Sequence, residues 1–245
     1  MNHSNFSIVI LAAGKGKRMN NPNIPKVLVE FKNRPLLGYV LELATKLSPK
    51  QIIVVVGHLK DQVINYLKKF NSDTIDFVEQ TEQLGTGHAV QQVEPKIAEE
   101  VQNILILSGD VPLLTYKTTN DFITMHNFYN SNASVLSSIA PNPTGYGRIV
   151  RDEEGHFNRI IEEKDANESE KLIKEINSGV YIINKSLLFD SLKLVQNNNA
   201  QKEFYLTDVI SILNNKGKNV NAFCIANFDE IQGVNSMDDL NNLKQ

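Results

Sequence analysis

The chain has 245 residues, 41% of them hydrophobic and 22% charged, with a formal net charge of −3. That supplies apolar content for a full core, and the small negative charge excludes a global basic field recruiting nucleic acid or an anionic membrane surface. A single cysteine, Cys224, excludes an intramolecular disulfide framework; with no signal-peptide pattern and no apolar run long enough to span a bilayer, a soluble cytoplasmic protein is expected.

In chain order, "SIVIL" (7–11) reads as a strand buried on both faces. The loop "AAGKGKRM" (12–19) follows it, with Gly14, Gly16 and the cations Lys15, Lys17 and Arg18. Leu36, Leu37, Val40, Leu41, Ala44 and Leu47 fall on one helical stripe after Pro35. "QIIVVV" (51–56) is a second strand. Val63, Ile64 and Leu67 mark a shorter helix with Asp61 near its start. "DFVEQ" (76–80) and "NILIL" (103–107) are further strands, and strand–helix–strand alternation implies a parallel sheet with right-handed crossovers.

In the second half, "ASVLSSIA" (133–140), "GRIVRD" (147–152), "FNRIIEE" (157–163) and "GVYIIN" (179–184) read as strands, with a hairpin turn at "DEEGH". An Asn-rich loop (196–199), a helix from about Tyr205, a strand at 220–226 and a helix from Ser236 complete the chain. Cys224 lies in the apolar run "AFCIA" and reads as a small buried hydrophobe. The expected architecture is one compact α/β unit over 1–245, with a mixed-sheet lobe and no linker, repeat or heptad array.

Ligands of open parallel sheets sit beyond the carboxyl ends of the strands, where the glycine loop emerges. Gly14 and Gly16 permit close backbone approach to an oxyanion, and Lys15, Lys17, Arg18 and Lys26 add positive charge. The P-loop spacing is absent, and Met19 stands where a dinucleotide fingerprint needs a small residue. Taken alone, the segment is equally consistent with a tight solvated turn. "LSGDVPLL" (107–114) adds a strand ending in Gly109-Asp110, a carboxylate suited to Mg²⁺ when phosphates complete the shell; an Asx-turn is the plainer reading. "QTEQLGTGHAV" (80–90) places amides, a hydroxyl and two glycines before a helix, where phosphate or a base edge can be met.

Together "LAAGKGKRM", "PKVL", "QLGTGHAV", "GDVPLL", "PTGYGRIVRD", "IIEEKDA", "EINSGVY", "EFYLTDVI" and "GVNSMDDL" resemble the sugar-nucleotide nucleotidyltransferases of the GT-A-like Rossmann type. The strongest likeness is to the uridyltransferase (pyrophosphorylase) domain of the bacterial bifunctional N-acetylglucosamine-1-phosphate uridyltransferases. The resemblance implies a mostly parallel central sheet flanked by helices with a smaller sugar-binding lobe. It implies a nucleotide lobe over about 1–130, a sugar-phosphate lobe over 131–226 and a metal-ligand segment with a helix over 227–245. It further implies a Mg²⁺-dependent reaction of UTP with N-acetylglucosamine 1-phosphate, giving UDP-N-acetylglucosamine and pyrophosphate.

Carried onto matching positions, Leu11, Ala12, Ala13 and Gly14 would line the uridine site, and Gln80, Gly85 and Thr86 would read the uracil. Ser108 and Gly109 would border the nucleotide. Arg18 and Lys26 would bind the triphosphate and stabilise the transition state, and Asp110 with Asn235 would hold Mg²⁺. Gly147, Glu162 and Asn177 would bind the acetamido sugar, with Thr207 near its phosphate. From the residues alone, one of the two acids of "IIEEKD" simply faces water. The five histidines are scattered, which speaks against a transition-metal cluster.

Lys17, Val29 and Ser108 depart from the family pattern, where a small hydroxyl residue, a histidine and a larger residue are common. No hexapeptide repeats are present, so the family's β-helix acetyltransferase half and the trimer it drives are not carried over. Two alternatives remain: a sibling nucleotidyltransferase with another base or sugar, and a non-catalytic sugar-nucleotide-binding protein. Retention of Arg18, Lys26, Asp110 and Asn235 together argues against the second.

Overall fold

The apolar runs of the first half are strands, with neighbours on both sides except for the edge strand at "DFVEQ", and the amphipathic runs are the helices that cover them. The computed structural model describes residues 6–19 and 21–243, the side chain of Lys17 excepted. In chain order the elements are β1 (Phe6–Ala12), the short strands β2 (Glu30–Phe31) and β3 (Arg34–Pro35), α1 (Leu36–Lys46), β4 (Ile52–Val56), α2 (Lys60–Leu67), β5 (Ile75–Glu79), α3 (Thr86–Gln91) and β6 (Asn103–Ser108). They continue with α4 (Tyr116–Phe128), β7 (Ala133–Ile139), β8 (Arg148–Arg151), β9 (Phe157–Ile161), α5 (Glu168–Lys171), β10 (Glu175–Asn184), α6 (Lys185–Leu192), α7 (Thr207–Asn215), β11 (Val220–Cys224) and α8 (Met237–Asn242).

Among the described residues, strands from both halves of the chain share one nine-stranded sheet, whose main path runs β11-β7-β10-β6-β1-β4-β5. β1 pairs in parallel with β4 and β6, and β4 with β5. Alternate side chains face opposite sides. Ile8 and Ile10 belong to one core cluster with residues of α1, α2 and α4, whereas Val9 belongs to a second one with residues of α3, α6 and α7. Both faces of β1 are therefore dry, which accounts for the unbroken apolar run over 8–12.

After β5 the chain returns to the other side of β1 to form β6, so the strand order reverses at β1. The carboxyl ends of β1 and β6 open the crevice expected at such a switch point. The β10 strand runs antiparallel between β6 and β7, with Tyr181 opposite Ile106 and Ile183 opposite Ile104. Its first residues consequently lie at the end where β6 finishes. It begins at Glu175, earlier than the "GVYIIN" run indicates, because the polar stretch "EINS" also pairs with β7 and β8. The second-half strands thus extend the main sheet, and only the β8–β9 hairpin stands off its path.

Sequence periodicity indicates neither α4 nor α6. The buried face of α4 includes Thr118, Thr119 and His126 beside Phe122 and Ile123, so polar residues occupy stripe positions and mask the period. The helix expected near Tyr205 begins at Thr207, since the backbone of Phe204 and Leu206 bonds to the distant 84–87 segment instead. The Cys224 expectation is corrected: on the edge strand β11, Phe223 turns inward and Cys224 is exposed. A period-2 strand buried on one face needs only alternate apolar residues in "AFCIA".

Arg148, 1% exposed, donates through Nη2 to Glu163 Oε2 at 2.6 Å, and its Nη1 donates to Tyr146 O. Glu163 also accepts the Gly145 N–H at 3.1 Å. Burial alone would raise the Glu163 carboxyl, but the Arg148 and Gly145 hydrogen bonds and the neighbouring cations hold it below its ordinary value. Removing the anion strands a buried guanidinium, so Glu163→Ala is expected to cost about 3 kcal/mol. A urea midpoint within experimental error of wild type would refute this.

Desolvation lowers buried His126 to about 4, with its Nδ1 2.8 Å from Ser134 Oγ. A base depressed in the folded state contributes stability that is complete above its unfolded value and lost as pH falls toward the folded one. Between pH 7 and about pH 4.5 wild type should lose roughly 2–3 kcal/mol more than His126→Gln. Parallel urea stabilities of the two proteins over that range would contradict the assignment.

Candidate active site

The crevice at the ends of β1 and β6 is a cavity of about 750 Å³. Leu11, Ala12, Ala13, Gly14, Lys15, Gly16 and Arg18 line it, together with Lys26, Ser108, Asp110, Gln80, Gly85 and Thr86. Every expected nucleotide-site residue lines it except Gly109, whose N–H donates to Leu11 O at 2.9 Å. A Cβ on Gly109 would stand 3.0 Å from that same carbonyl, so glycine lets the ends of β1 and β6 close together.

The glycine loop is anchored at both ends: Ala13 is buried and its carbonyl accepts the His58 N–H at 3.3 Å, and Met19 is held at the other end. Met19 is 2% exposed and packs with Phe31, Leu36, Val234 and Leu240 in a small cluster separate from the two sheet cores. Gly14, Lys15 and Arg18 stay exposed, and Arg18 has no ion-pair partner among the described residues. The large side chain that breaks the dinucleotide fingerprint is therefore the plug that holds a basic loop in place. Lys17 is part of the same short turn, but its side chain lies outside the described residues.

A turn of 3-10 helix over Lys26–Leu28 follows Pro25 and buries Val27, aiming Lys26 inward. Lys26 Nζ contacts Asp110 Oδ2 and donates to Asn235 Oδ1 at 3.0 Å. Asn235 is fixed from behind: the Val234 N–H donates to Asp110 O at 3.0 Å, and the Asn235 and Ser236 N–H groups both donate to Asp239 Oδ2 at 2.8 Å. Asp110 and Asn235, 125 positions apart by their numbers, thus face one cation.

Gln80 is 3% exposed, and its Nε2 donates to Gly85 O at 3.1 Å and lies 3.0 Å from His88 Nδ1. With that ring nitrogen as acceptor, both amide hydrogens are used and Oε1 is the atom left to accept from a ligand. Gly85 has φ +116°, and a Cβ there would meet Phe204 O at 2.6 Å. The loop is clasped to the segment before α7: Phe204 N–H donates to Leu84 O and Gly87 N–H to Phe204 O, both at 2.8 Å, and Leu206 N–H donates to Thr86 Oγ1 at 3.0 Å.

The antiparallel course of β10 brings the remaining expected residues to the same edge of the sheet. A Cβ on Gly179 would lie 3.2 Å from Ser108 Oγ, and Asn177 Oδ1 accepts the Gly179 N–H at 3.1 Å. The Asn177 N–H donates to Gly147 O at 2.9 Å, and a Cβ on Gly147 would lie 3.5 Å from both Glu162 Oε2 and Asn177 Cβ. Thr207 donates through Oγ1 to Glu162 Oε1 at 3.0 Å. Gly147, Glu162 and Asn177 are therefore mutual neighbours, and Glu162 and Thr207 border a second cavity of about 360 Å³ with Asp165, Tyr205 and Asp208.

Burial raises the Glu162 carboxyl above its ordinary value; the Thr207 hydrogen bond opposes this and the charges of Asp165, Asp208 and Glu203 add to it. The water-facing reading of one acid in "IIEEKD" is overturned for both: Glu162 meets Thr207 and Glu163 meets Arg148. Gln83, Lys164, Gln201 and Glu203 also line the larger cavity. Gln201 and Glu203 escape sequence reading because the clasp that brings them there is long-range, with no local signal.

A family model described as nucleotidyl transferase matches residues 7–229. The bifunctional protein GlmU of Lactococcus lactis subsp. lactis is 45% identical over 227 residues, covering 93% of this chain and 48% of that protein. The protein of the same name from Streptococcus agalactiae serotype V is 42% identical over 232 residues, 95% of this chain and 49% of its own length. The chain thus spans about half the length of these curated relatives. A crystal structure of a UDP-glucose pyrophosphorylase complexed with UDP-glucose superposes with a TM-score of 0.80 over 97% of this chain and 96% of that one, at 18% identity, and so shares the fold. With this fold, a family match over nearly the whole chain and relatives above 40% identity, the chain belongs to the nucleotidyl transferase family.

Proposed function

We propose that the protein is a Mg²⁺-dependent uridylyltransferase that joins UTP to N-acetylglucosamine 1-phosphate, releasing pyrophosphate. One observation carries this reading: Arg18, Lys26 and Asp110 on the nucleotide side and Glu162 and Asn177 on the other occupy one edge of one sheet. The division into a nucleotide lobe (1–130), a sugar-phosphate lobe (131–226) and a metal-ligand segment (227–245) is part of the same proposal. The relatives named GlmU and the fold shared with a UDP-glucose pyrophosphorylase favour a uridine nucleotide and a sugar phosphate.

In the transfer, an oxygen of the sugar phosphate attacks the α-phosphorus in line, and the bond to the departing pyrophosphate breaks. Two polyanions must be brought together while charge builds on the bridging oxygen, so positioning and electrostatic stabilisation dominate and no covalent nucleophile is needed. Arg18 grips phosphate oxygens from the exposed loop, and Lys26, whose Cβ packs against the same loop at Gly16, reaches the triphosphate beside it. Leu11, Ala12, Ala13 and Gly14 line the nucleoside, with Ser108 and Gly109 at its border. Asp110 and Asn235 offer a carboxylate and an amide oxygen that already share a cation, and this hard donor set fits Mg²⁺. Bound there, Mg²⁺ neutralises phosphate charge.

Gln80 Oε1 accepts the N3–H of uracil, and cytosine has no hydrogen at that position. Gly85 and Thr86 complete the base site. Glu162 and Asn177 recognise hydroxyl and acetamido groups of the sugar, Gly147 leaves room for it, and Thr207 orients Glu162 near the phosphate side.

The deciding assay measures pyrophosphate released from UTP, CTP, dTTP, GTP or ATP with a panel of sugar 1-phosphates and Mg²⁺. Turnover is expected with UTP and N-acetylglucosamine 1-phosphate, and Asp110→Ala should abolish it at saturating Mg²⁺. Absence of turnover with every pair would remove the enzyme reading; preference for another sugar would remove only the sugar assignment. Glu162→Ala should raise KM for the sugar 1-phosphate by roughly tenfold or more, a loss of about 1.4 kcal/mol, with KM for UTP little changed. An equal rise in both constants would show that Glu162 does not select the sugar.

A further inference from the structure

We propose that Lys26 is the resident cation of the free site: its ammonium holds Asp110 and Asn235 together and keeps divalent metal out until a nucleoside triphosphate draws it away. This rests on the reading of Asp110 and Asn235 as the metal pair. Lys26 Nζ contacts the Asp110 carboxylate and the Asn235 amide oxygen at once, which are the two protein oxygens that Mg²⁺ needs. Ammonium and metal compete for the same acceptors.

The position of Lys26 makes that competition effective. Its side chain is only 16% exposed and that of Asp110 14%, so solvent and salt screen the pair weakly. The stem is held at its root, because Val27 is buried and Lys26 Cβ lies 2.8 Å from where a Gly16 Cβ would stand. The backbone is fixed while the four-carbon stem can rotate. Moving the charged head requires changes of rotamer only.

Charge decides when it moves. In the free site Asp110 and Lys26 cancel, and a divalent ion arriving alone finds a single protein carboxylate already neutralised. Among the described residues no group of three or more His, Cys, Asp or Glu side chains is placed to hold a metal, so no larger anionic cage offsets the ammonium. A triphosphate in the 750 Å³ cavity offers Lys26 a stronger anion and frees Asp110 and Asn235. Metal and nucleotide therefore enter with positive coupling, each favouring the other by the same factor.

The test is Mn²⁺ binding to the full chain without nucleotide, read by the loss of the free-ion signal in electron paramagnetic resonance. Lys26→Met and the polar variant Lys26→Gln should each bind Mn²⁺ at least about tenfold more tightly than wild type. Adding Asp110→Asn to either should abolish the gain, and Mn²⁺ should raise the Tm of the single variants but not of wild type. Equal affinity in wild type and both variants, no binding by any of them, or binding that survives Asp110→Asn would overturn the proposal. These outcomes are separate from the fate of the functional reading, which turns on pyrophosphate release by wild type.

Discussion

The arrangement depends on one strand running the wrong way. In a sheet whose core is parallel, β10 is antiparallel to both β6 and β7, so its beginning lies where β6 ends. A parallel strand in that slot would place Asn177 at the opposite end of the sheet from Asp110. The reversal lets one edge collect loops from the ends of β1, β5 and β6 together with the start of β10 and the β8–β9 hairpin. Two polar substrates can then be met by one rigid scaffold.

Much of this is written locally. The strands β1, β4 and β6 and the helix α1 follow from β-branched apolar runs and a clean helical stripe, since burial on both faces leaves little room for polar residues, whereas β5, at the sheet edge, keeps Asp76 and Glu79 and buries only Val78. Capping at Ser236 is equally local, because Ser236 and Asp239 satisfy each other's backbone donors. By contrast, α4 places Thr119 and His126 on its buried face, and its polar stripe carries no periodic signal. Cys224 sits in an apolar run whose two faces differ, a distinction made by the sheet edge.

The site was less legible than the fold. Nothing in "AAGKGKRM" distinguishes a phosphate cradle from a solvated turn, and nothing in it signals that Met19 is buried, because its partners Val234 and Leu240 are far away in sequence. The pairing of Glu163 with Arg148, beside a Glu162 turned to Thr207, separates two adjacent acids that look alike. The clasp between residues 84–87 and 204–206 is made mostly by backbone groups, which every sequence carries. Family motifs reached these positions only because they encode geometry that composition and periodicity do not.

The small cluster that holds Met19 shares no buried residue with the two large cores on the sheet faces. It joins the basic loop to α8 and to the segment carrying Asn235, which meets Lys26 across 209 residues of sequence. Opening of this cluster and unfolding of the sheet are therefore different equilibria, with different free energies. A change that frays α8 loosens both the loop that carries Arg18 and the segment that carries Asn235 while the sheet stays folded. Such a protein would keep its spectrum and its unfolding midpoint and still have no site.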